Sequence, residues 1–513
     1  MSSVTLASRA FNQDDQIFFA RLSGDFNPIH MDPLAARRTQ AGAPVVHGIH
    51  AVLWALDKLA ENGMVTGKVR GVKVQFTKFI YVASTVMLNL RHRDEESTGV
   101  LERVVEREPA ILIDLKEAAA QSGWIDVDRA RTRSEGQFPH ADSAIGARRV
   151  AAIAVLSTLT GMVCPGMYSL FGAFAIDLVE DSNHKDAVGF SVSETDERFR
   201  MIRMNVSGAG IRGSVQAFLR WPPIGQASFD EVSKVVAPAE FAGSTALIVG
   251  GSRGLGALTA KVIAAGGGKV IVTFATGRKD AEKLAEEICG HTTHDACRVI
   301  QYDVRQDAAS QLKLLETEVS HLYYFATTSI FRQKDGFFVS SLLDEFIEIY
   351  VKGFYDCCRV LNKNSSQALI AYYPSTVAID NNPLSIIEYT MAKMAGEILC
   401  ANMNRANTRT RVVVSRLPRL MTDQTATVVP ATTAEPLDVL LPVIRQRIHL
   451  RFCSSDSCRI PRTWRWFSSV GIALADLCIF ALLRVVETFE CVDHRAVHSD
   501  QLFVGTRPAA TGR

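Results

Sequence analysis

The chain has 513 residues, 47% hydrophobic and 21% charged, with a formal net charge of +2. This is ordinary for folded soluble domains, and the length calls for about three or four of them rather than one core. A near-balanced charge, without basic runs interleaved with aromatics, gives no electrostatic footprint for nucleic acid.

Asp14 and Asp15 precede any long apolar run, which is not the order of a signal peptide, and the closing Thr-Gly-Arg is no peroxisomal address. A helix is predicted from Asp14 to Leu22, stopped by Ser23-Gly24. A longer apolar helix follows Gly48 through Leu59 and closes at Asn62-Gly63. Strands are predicted over Val69 to Phe76, Thr85 to Leu90, Val100 to Val105 and Ile111 to Leu115, an α+β order. The order then repeats. Cys164-Pro165-Gly166 parallels Val46-His47-Gly48, so Gly166 is predicted to open a second central helix. Strands follow at Ala187 to Val192, Phe199 to Val206 and Gly213 to Leu219. Such a repeat implies two related half-domains packed together.

A Pro/Ala-containing connector, Val236 to Glu240, marks the next boundary. Beyond it strands (Thr245 to Val249, Lys269 to Phe274, Val299 to Tyr302, Leu322 to Phe325, Ala368 to Tyr372, Arg411 to Ser415) alternate with helices from Leu255 and Asp280. That rhythm predicts a doubly wound parallel sheet. After about Phe452 the character changes. Cys453, Cys458, Cys491 and His494 match no common zinc spacing, and the apolar run Trp466 to Leu483 is broken by Asp476. Neither a metal site nor a membrane span is expected. The ten scattered cysteines, with Cys357 and Cys358 adjacent, read as reduced thiols of a cytoplasmic protein.

Asp25-Phe26-Asn27-Pro28-Ile29-His30 sets a carboxylate and an imidazole just beyond a helix end, where Pro28 forces a turn and both can face one spot. Such a pair can polarise a water and shuttle its proton. His47-Gly48 opens the next helix, whose first backbone amide can face a thioester oxygen gathering negative charge. The string from Phe18 to Asp32, with Val46-His47-Gly48, resembles the MaoC-like (R)-specific enoyl-thioester hydratases over about residues 10–120. That resemblance implies a hot-dog fold, water activation by Asp25 and His30, and carbonyl polarisation at Gly48. No such motif precedes Cys164, so the second repeat reads as the degenerate half of a double hot dog.

Gly250-Gly251-Ser252-Arg253-Gly254-Leu255-Gly256 follows a strand and opens a helix, a loop that lets backbone approach a pyrophosphate. Tyr389 and Lys393 stand at i and i+4 on one helix face, where the cation is predicted to lower the phenol's pKa. With Asp303-Val304 and Ser375-Thr376, these residues resemble the short-chain dehydrogenase/reductase family, nearest its ketoacyl reductases, over about residues 243–450. By that resemblance Tyr389 is the acid/base, Lys393 binds the ribose and Asp303 contacts the adenine. Thr376, or alternatively Ser375, holds the reacting oxygen. The second strand ends without an acid, while Arg253 and Arg278 are available for a 2′-phosphate, so NADP(H) is favoured over NAD(H). The family's Asn-Asn-Ala-Gly is replaced by Phe325-Ala326-Thr327-Thr328, and its helix asparagine falls at Tyr350.

The fold expected is an α+β double hot dog followed by an α/β Rossmann-type domain. The boundaries expected are 1–122 for the catalytic half, 123–235 for the degenerate half, 241–450 for the reductase and 451–513 for a tail without assigned role. The function expected is bifunctional: hydration between 2-enoyl and 3-hydroxyacyl thioesters, and oxidoreduction between 3-hydroxyacyl and 3-oxoacyl forms. The substrate is expected on CoA or acyl carrier protein, and the protein as a homo-oligomer. Peroxisomal multifunctional enzymes join similar modules in the opposite order. A rival reading keeps the hydratase alone and makes the second half a cofactor-binding or scaffolding domain.

Overall fold

The computed structural model describes residues 4–448, apart from 66–67, 93–109, 111, 135, 181–185, 314, 316, 332–336, 366, 407–408 and 428–430, together with the backbone of 489–491 and 500–507. It divides into two compact units. One runs to Pro222 and takes in the two strands near the C-terminus; the other begins at Pro223.

The first unit opens on a strand, β1 (Val4–Ala10), and a helix, α1 (Gln13–Ser23). Asn12 and Asp15 form a reciprocal cap at the start of α1, and Gly24 ends it in the left-handed region at φ 86°. Two short helices, α2 (Pro28–Met31) and α3 (Pro33–Arg37), lead to the first central helix, α4 (Gly48–Glu61), then to β2 (Gly71–Gln75) and β3 (Thr85–His92). The second half holds α5 (Leu115–Ala119), β4 (Ser122–Asp126), α6 (Asp128–Ser134), α7 (Pro139–Ile145) and a second central helix, α8 (Ala147–Thr158). A π-helical turn at Leu159–Val163 extends α8, and β5 (Ser169–Leu178), β6 (Ala187–Asp196), β7 (Met201–Gly208) and β8 (Ile211–Leu219) follow.

All these strands join one antiparallel sheet in the order β1, β3, Asp500–Arg507, Phe489–Cys491, β2, β5, β8, β7, β6, β4. The two halves meet where β2 pairs with β5. Buried residues of α4 (Ile49, Leu53, Leu56) and α8 (Val150, Ile153, Leu156) share a single hydrophobic core with the sheet. This is the double hot-dog arrangement, with two strands near the C-terminus filling positions between β3 and β2.

Three expectations need correction. Gly166 opens no helix: it lies after α8 at φ 78°, and the run beyond it is β5. The second central helix lies upstream and is buried on nearly every side from Val150 to Thr158, so it shows no amphipathic stripe. Leu112 to Leu115, the described part of the strand predicted at Ile111 to Leu115, form no strand: Leu112 makes an isolated bridge to Gly166 and Leu115 starts α5. The strand predicted at Val100 to Val105, the side chains imagined as a zinc set and the run Trp466 to Leu483 lie outside the described residues. Among the described residues, no single helix is long and apolar enough to cross a membrane.

The second unit begins with α9 (Phe229–Ser233) and alternates strand and helix: β9 (Thr245–Val249), α10 (Gly254–Ala265), β10 (Lys269–Phe274), α11 (Arg278–His291), β11 (Cys297–Gln301), α12 (Ala308–Leu312) and β12 (His321–Tyr324). Next come α13 (Ser340–Ile347), a π-helical turn at Glu348–Lys352, α14 (Gly353–Asn364), β13 (Leu369–Thr376), α15 (Ala378–Asn381), α16 (Ile387–Arg405), β14 (Thr410–Leu417) and α17 (Pro436–Ile448). Every strand pairs in parallel, in the order β11, β10, β9, β12, β13, β14. That order reverses between β9 and β12, and ligands of such sheets bind at the carboxyl ends of the strands there.

Candidate functional site

In the first unit the site is built on the loop between α1 and α2. The left-handed Gly24 turns the chain, and Asp25 becomes buried. Its Oδ1 accepts from Asn27 N (3.1 Å) and its Oδ2 from Ser157 Oγ (2.6 Å) on α8. Asn27 caps α2 by accepting from Ile29 N (3.2 Å), and its amide donates to Gly161 O (2.8 Å) and Gly166 O (3.2 Å). Pro28 occupies the first helical turn of α2, where a missing N–H costs nothing. His30 donates from Nδ1 to Val45 O (2.8 Å), which leaves Nε2 as its basic nitrogen.

His47 stacks on His30 at 4.0 Å between ring centroids. Its Nε2 lies 3.0 Å from Asp25 O, and its Nδ1 lies 3.1 Å from Gln16 Oε1. Asp25, His30 and His47 present donor atoms within 4.8 Å of one another, close enough to meet one cation. Hydrogen bonds already engage both Asp25 oxygens and His30 Nδ1, and His47, kept neutral by burial, can donate to only one of the two oxygens its nitrogens face, which leaves His30 Nε2 outside these bonds. That is poor provision for a metal and good provision for proton transfer.

Burial raises Asp25 above the usual carboxylate range, against the opposing pull of His30 and Ser157. Burial lowers His30, against the pull of Asp25. The two affinities for a proton thus approach each other, which suits a pair passing one proton to and from a water. Gly48 starts α4, whose first amides have no partner within the helix. A Cβ at Gly48 would sit 2.7 Å from a ring carbon of Phe76, so the position admits only glycine without movement.

In the second unit β9 runs into Gly250 (φ 75°), and α10 begins at Gly254. A Cβ on Gly250 would lie 2.7 Å from the Phe325 carbonyl carbon, and one on Gly256 would lie 2.4 Å from Gly250 O. The cradle therefore requires bare backbone at the switch point, with Ser252, Arg253 and Leu255 carried on it. Arg253 forms an ion pair with Asp423 (2.6 Å). Arg278 lies over the Phe274 ring at 5.0 Å and is well exposed. Asp303 is gripped by Arg305 (2.9 Å), which holds its carboxyl below the usual range; Val304 lies beside it and crowds Gly353.

Tyr389 and Lys393 share one face of α16. Thr376, ending β13, lies near enough to the Tyr389 phenol to oppose its rise, whereas Ser375 neighbours Glu397 instead. Lys393 Nζ donates to Pro374 O (2.8 Å) and sits 4.1 Å from the Tyr350 ring centroid, against 5.9 Å for Tyr389. The predicted lowering of the phenol is not found. Burial pushes Tyr389 up to about 12 and Lys393 down to about 7, and Lys393 is not among the groups that lower the phenol. Tyr350 lies in the π-helical turn and shares a 2.6 Å hydrogen bond with Thr327.

Two family descriptions match this chain. Residues 2–110 match the MaoC like domain and residues 244–435 match the short chain dehydrogenase. The chain carries a MaoC-like domain followed by a short-chain dehydrogenase domain. Over 72 residues it is 35% identical to the peroxisomal hydratase-dehydrogenase-epimerase of Saccharomyces cerevisiae, covering 14% of this chain and 8% of that one. Over 87 residues it is 39% identical to versicolorin reductase 1 of Aspergillus parasiticus, covering 17% of this chain and 32% of the other. The matches thus span a third or less of these relatives' length. Among solved structures, a dehydrogenase/reductase from Sinorhizobium meliloti aligns over 42% of this chain and 91% of its own, at 18% identity and a TM-score of 0.36. The FolM alternative dihydrofolate reductase 1 of Brucella canis, complexed with NADP, aligns over 34% and 72%, at 19% and 0.31.

Sequence reading missed Ser157 and Gly161 as parts of the MaoC-like site. A Cβ on Gly161 would fall 2.3 Å from Asp25 Oδ1, so glycine there lets the extension of α8 close against the carboxylate. In the short-chain dehydrogenase domain, the glycine cradle and the start of α10 fit a nicotinamide dinucleotide's pyrophosphate.

Proposed function

We propose that the chain is a bifunctional acyl-thioester enzyme. Its first unit interconverts 2-enoyl and (R)-3-hydroxyacyl thioesters, and its second interconverts 3-hydroxyacyl and 3-oxoacyl thioesters with NADP(H). The observation that carries the reading is the buried Asp25–His30 pair, with His30 Nε2 left basic and the amide end of α4 close by. In the hydration direction, a water held by Asp25 and His30 gives its oxygen to C3 while one proton reaches C2 through the pair. Gly48 N–H stabilises the charge gathering on the thioester oxygen.

In the second unit a nicotinamide cofactor, held at the cradle Gly250–Gly256, would supply the hydride chemistry for a 3-oxo carbon. Tyr389 then supplies the proton, Thr376 binds the reacting oxygen, and the cradle Gly250–Gly256 holds the pyrophosphate. The well exposed Arg278 beside the end of β10 is our candidate for a ribose 2′-phosphate contact, and this with the absent acid supports NADP(H). Asp303, with Val304, is assigned to the adenine side. The carrier is CoA or acyl carrier protein, and the assembly a homo-oligomer. Six described cysteines are free thiols, which supports a reducing, cytoplasmic setting. Purified protein incubated with crotonyl-CoA, and separately with acetoacetyl-CoA and NADPH, tests both halves; inertness towards both ends the proposal.

One observation favours a second reading. Lys393 is engaged by Pro374 O and faced by the Tyr350 ring, at the position where the family's helix asparagine is expected. If NADPH binds without turnover of any 3-oxoacyl thioester, the second unit is a cofactor-binding domain and the enzyme is a hydratase alone.

A further inference from the structure

Arg220 is the first residue beyond β8, and its backbone N–H donates to Tyr168 O (2.8 Å). Its Nη2 donates to Met167 O (3.0 Å), and Asn27 of the Asp25–His30 loop also donates to that carbonyl (3.3 Å). One carbonyl thus fastens the guanidinium and the catalytic loop together. The Tyr168 ring lies 5.1 Å from the guanidinium carbon. The Arg220 Nε is buried and has no hydrogen-bond partner among the described residues. No acidic side chain is among the groups acting on its charge; burial lowers it to about 10, and only Tyr168 opposes. The guanidinium is also close enough to His30 to push that ring's proton affinity down.

A guanidinium presents five donors in a rigid fork, and a desolvated cation left without an anion is costly. An oxyanion satisfies such a fork through two parallel, charge-assisted hydrogen bonds. An enoyl thioester with a plain alkyl chain brings no charge to the site, so a largely desolvated arginine near His30, with its Nε buried and no acidic partner, needs another reason. We propose that Arg220 is an oxyanion-binding residue of the hydratase site, taking a carboxylate or phosphate oxygen carried by the thioester substrate. The inference rests on the hydratase reading of Asp25 and His30. Two sources supply that chemistry: a carboxylate on the acyl group, or a phosphate of the carrier.

The test is direct binding to the full chain of saturated thioesters that cannot be hydrated: butyryl-CoA, glutaryl-CoA, butyryl-N-acetylcysteamine and glutaryl-N-acetylcysteamine. Arg220→Gln keeps a donor for Met167 O and loses the charge; Arg220→Lys keeps the charge. Arg220→Gln should weaken the anion-bearing ligands by about tenfold or more, and Arg220→Lys by less. Weakening confined to both CoA thioesters assigns the carrier phosphate; weakening confined to both glutaryl thioesters assigns an acyl carboxylate. Unchanged affinities, an equal loss that includes the uncharged butyryl-N-acetylcysteamine, or no binding of any of the four by the unmutated protein overturns the proposal. Crotonyl-CoA turnover is scored separately: charge-dependent binding without turnover supports the oxyanion site and retires the hydratase reading.

Discussion

Ser157 donates a 2.6 Å hydrogen bond to the Asp25 carboxylate across 132 residues of chain, from the second central helix to the loop that faces the first. Both groups are buried, so the bond acts without competition from water. The half without an acid–base pair of its own therefore holds the other half's carboxylate in place.

The consequence for pH is directional. A donor to a carboxylate favours its ionised form, so removing the Ser157 hydroxyl raises the pKa of Asp25, which burial already lifts. If hydration needs Asp25 ionised, the acidic limb of the kcat/KM profile moves to higher pH in Ser157→Ala, with a loss of about tenfold near that limb. An acidic limb that stays put while overall rate falls would mean that Ser157 serves packing alone.

Asp25→Asn and His30→Ala should each lower enoyl-thioester hydration by about 10²–10⁴-fold. Neither should unfold the protein. The folded Asp25 pKa lies above its unfolded value, so ionisation above that folded pKa costs stability, and asparagine removes this cost. The melting temperature of Asp25→Asn near neutrality should therefore match or exceed that of the unmutated chain. Near-full hydratase rate in either variant would rule out the assigned pair.

Residues whose partners are near in sequence were readable, and those with distant partners were not. The Asp25 loop announces itself through Gly24, Asn27 and Pro28, each acting on the next few residues. The parallel sheet was legible because turns and apolar runs alternate, and β9 and β10 begin and end where the runs do. α8 was missed because it is apolar nearly all round, and β5 was mistaken for helix after a glycine. Ser157 and Gly161 carry no local signal; only the folded chain brings them to Asp25. The elevated Tyr389 phenol escaped prediction because the i, i+4 spacing to Lys393 says nothing of burial.

Cofactor choice should rest more on Arg278 than on Arg253. Arg253 already forms an ion pair with Asp423 at 2.6 Å, while Arg278 meets Glu282 at 3.4 Å in solvent. NADPH should bind more tightly than NADH. Arg278→Ala should cut NADPH affinity by about tenfold with little effect on NADH, and Arg253→Ala should narrow the gap less. Equal dissociation constants for the two cofactors in the unmutated protein would sink this assignment.

The Tyr389, Lys393 and Tyr350 cluster separates a reductase from a binding domain. Tyr389→Phe should abolish NADPH-dependent reduction of 3-oxoacyl thioesters while enoyl hydration continues, because Asp25 and His30 belong to the other unit. NADPH binding should persist, since the pyrophosphate cradle is backbone of Gly250 to Gly256. Lys393 adds a pH signature. Burial holds it down to about 7, so its charge is present below that pH and lost above it. Reduction that depends on the ammonium should therefore fall on the basic side of about 7. The Tyr350 ring lies 4.1 Å from Nζ, so Tyr350→Asn lets solvent reach the amine, raises its pKa and carries the basic limb upward. Tyr350→Phe keeps the ring and should leave that limb unmoved, which distinguishes desolvation by the ring from an effect of the hydroxyl on Thr327. If Tyr350→Asn binds NADPH yet shows neither a shifted limb nor any reduction of 3-oxoacyl chains of several lengths, Lys393 is structural and the chain has one active site.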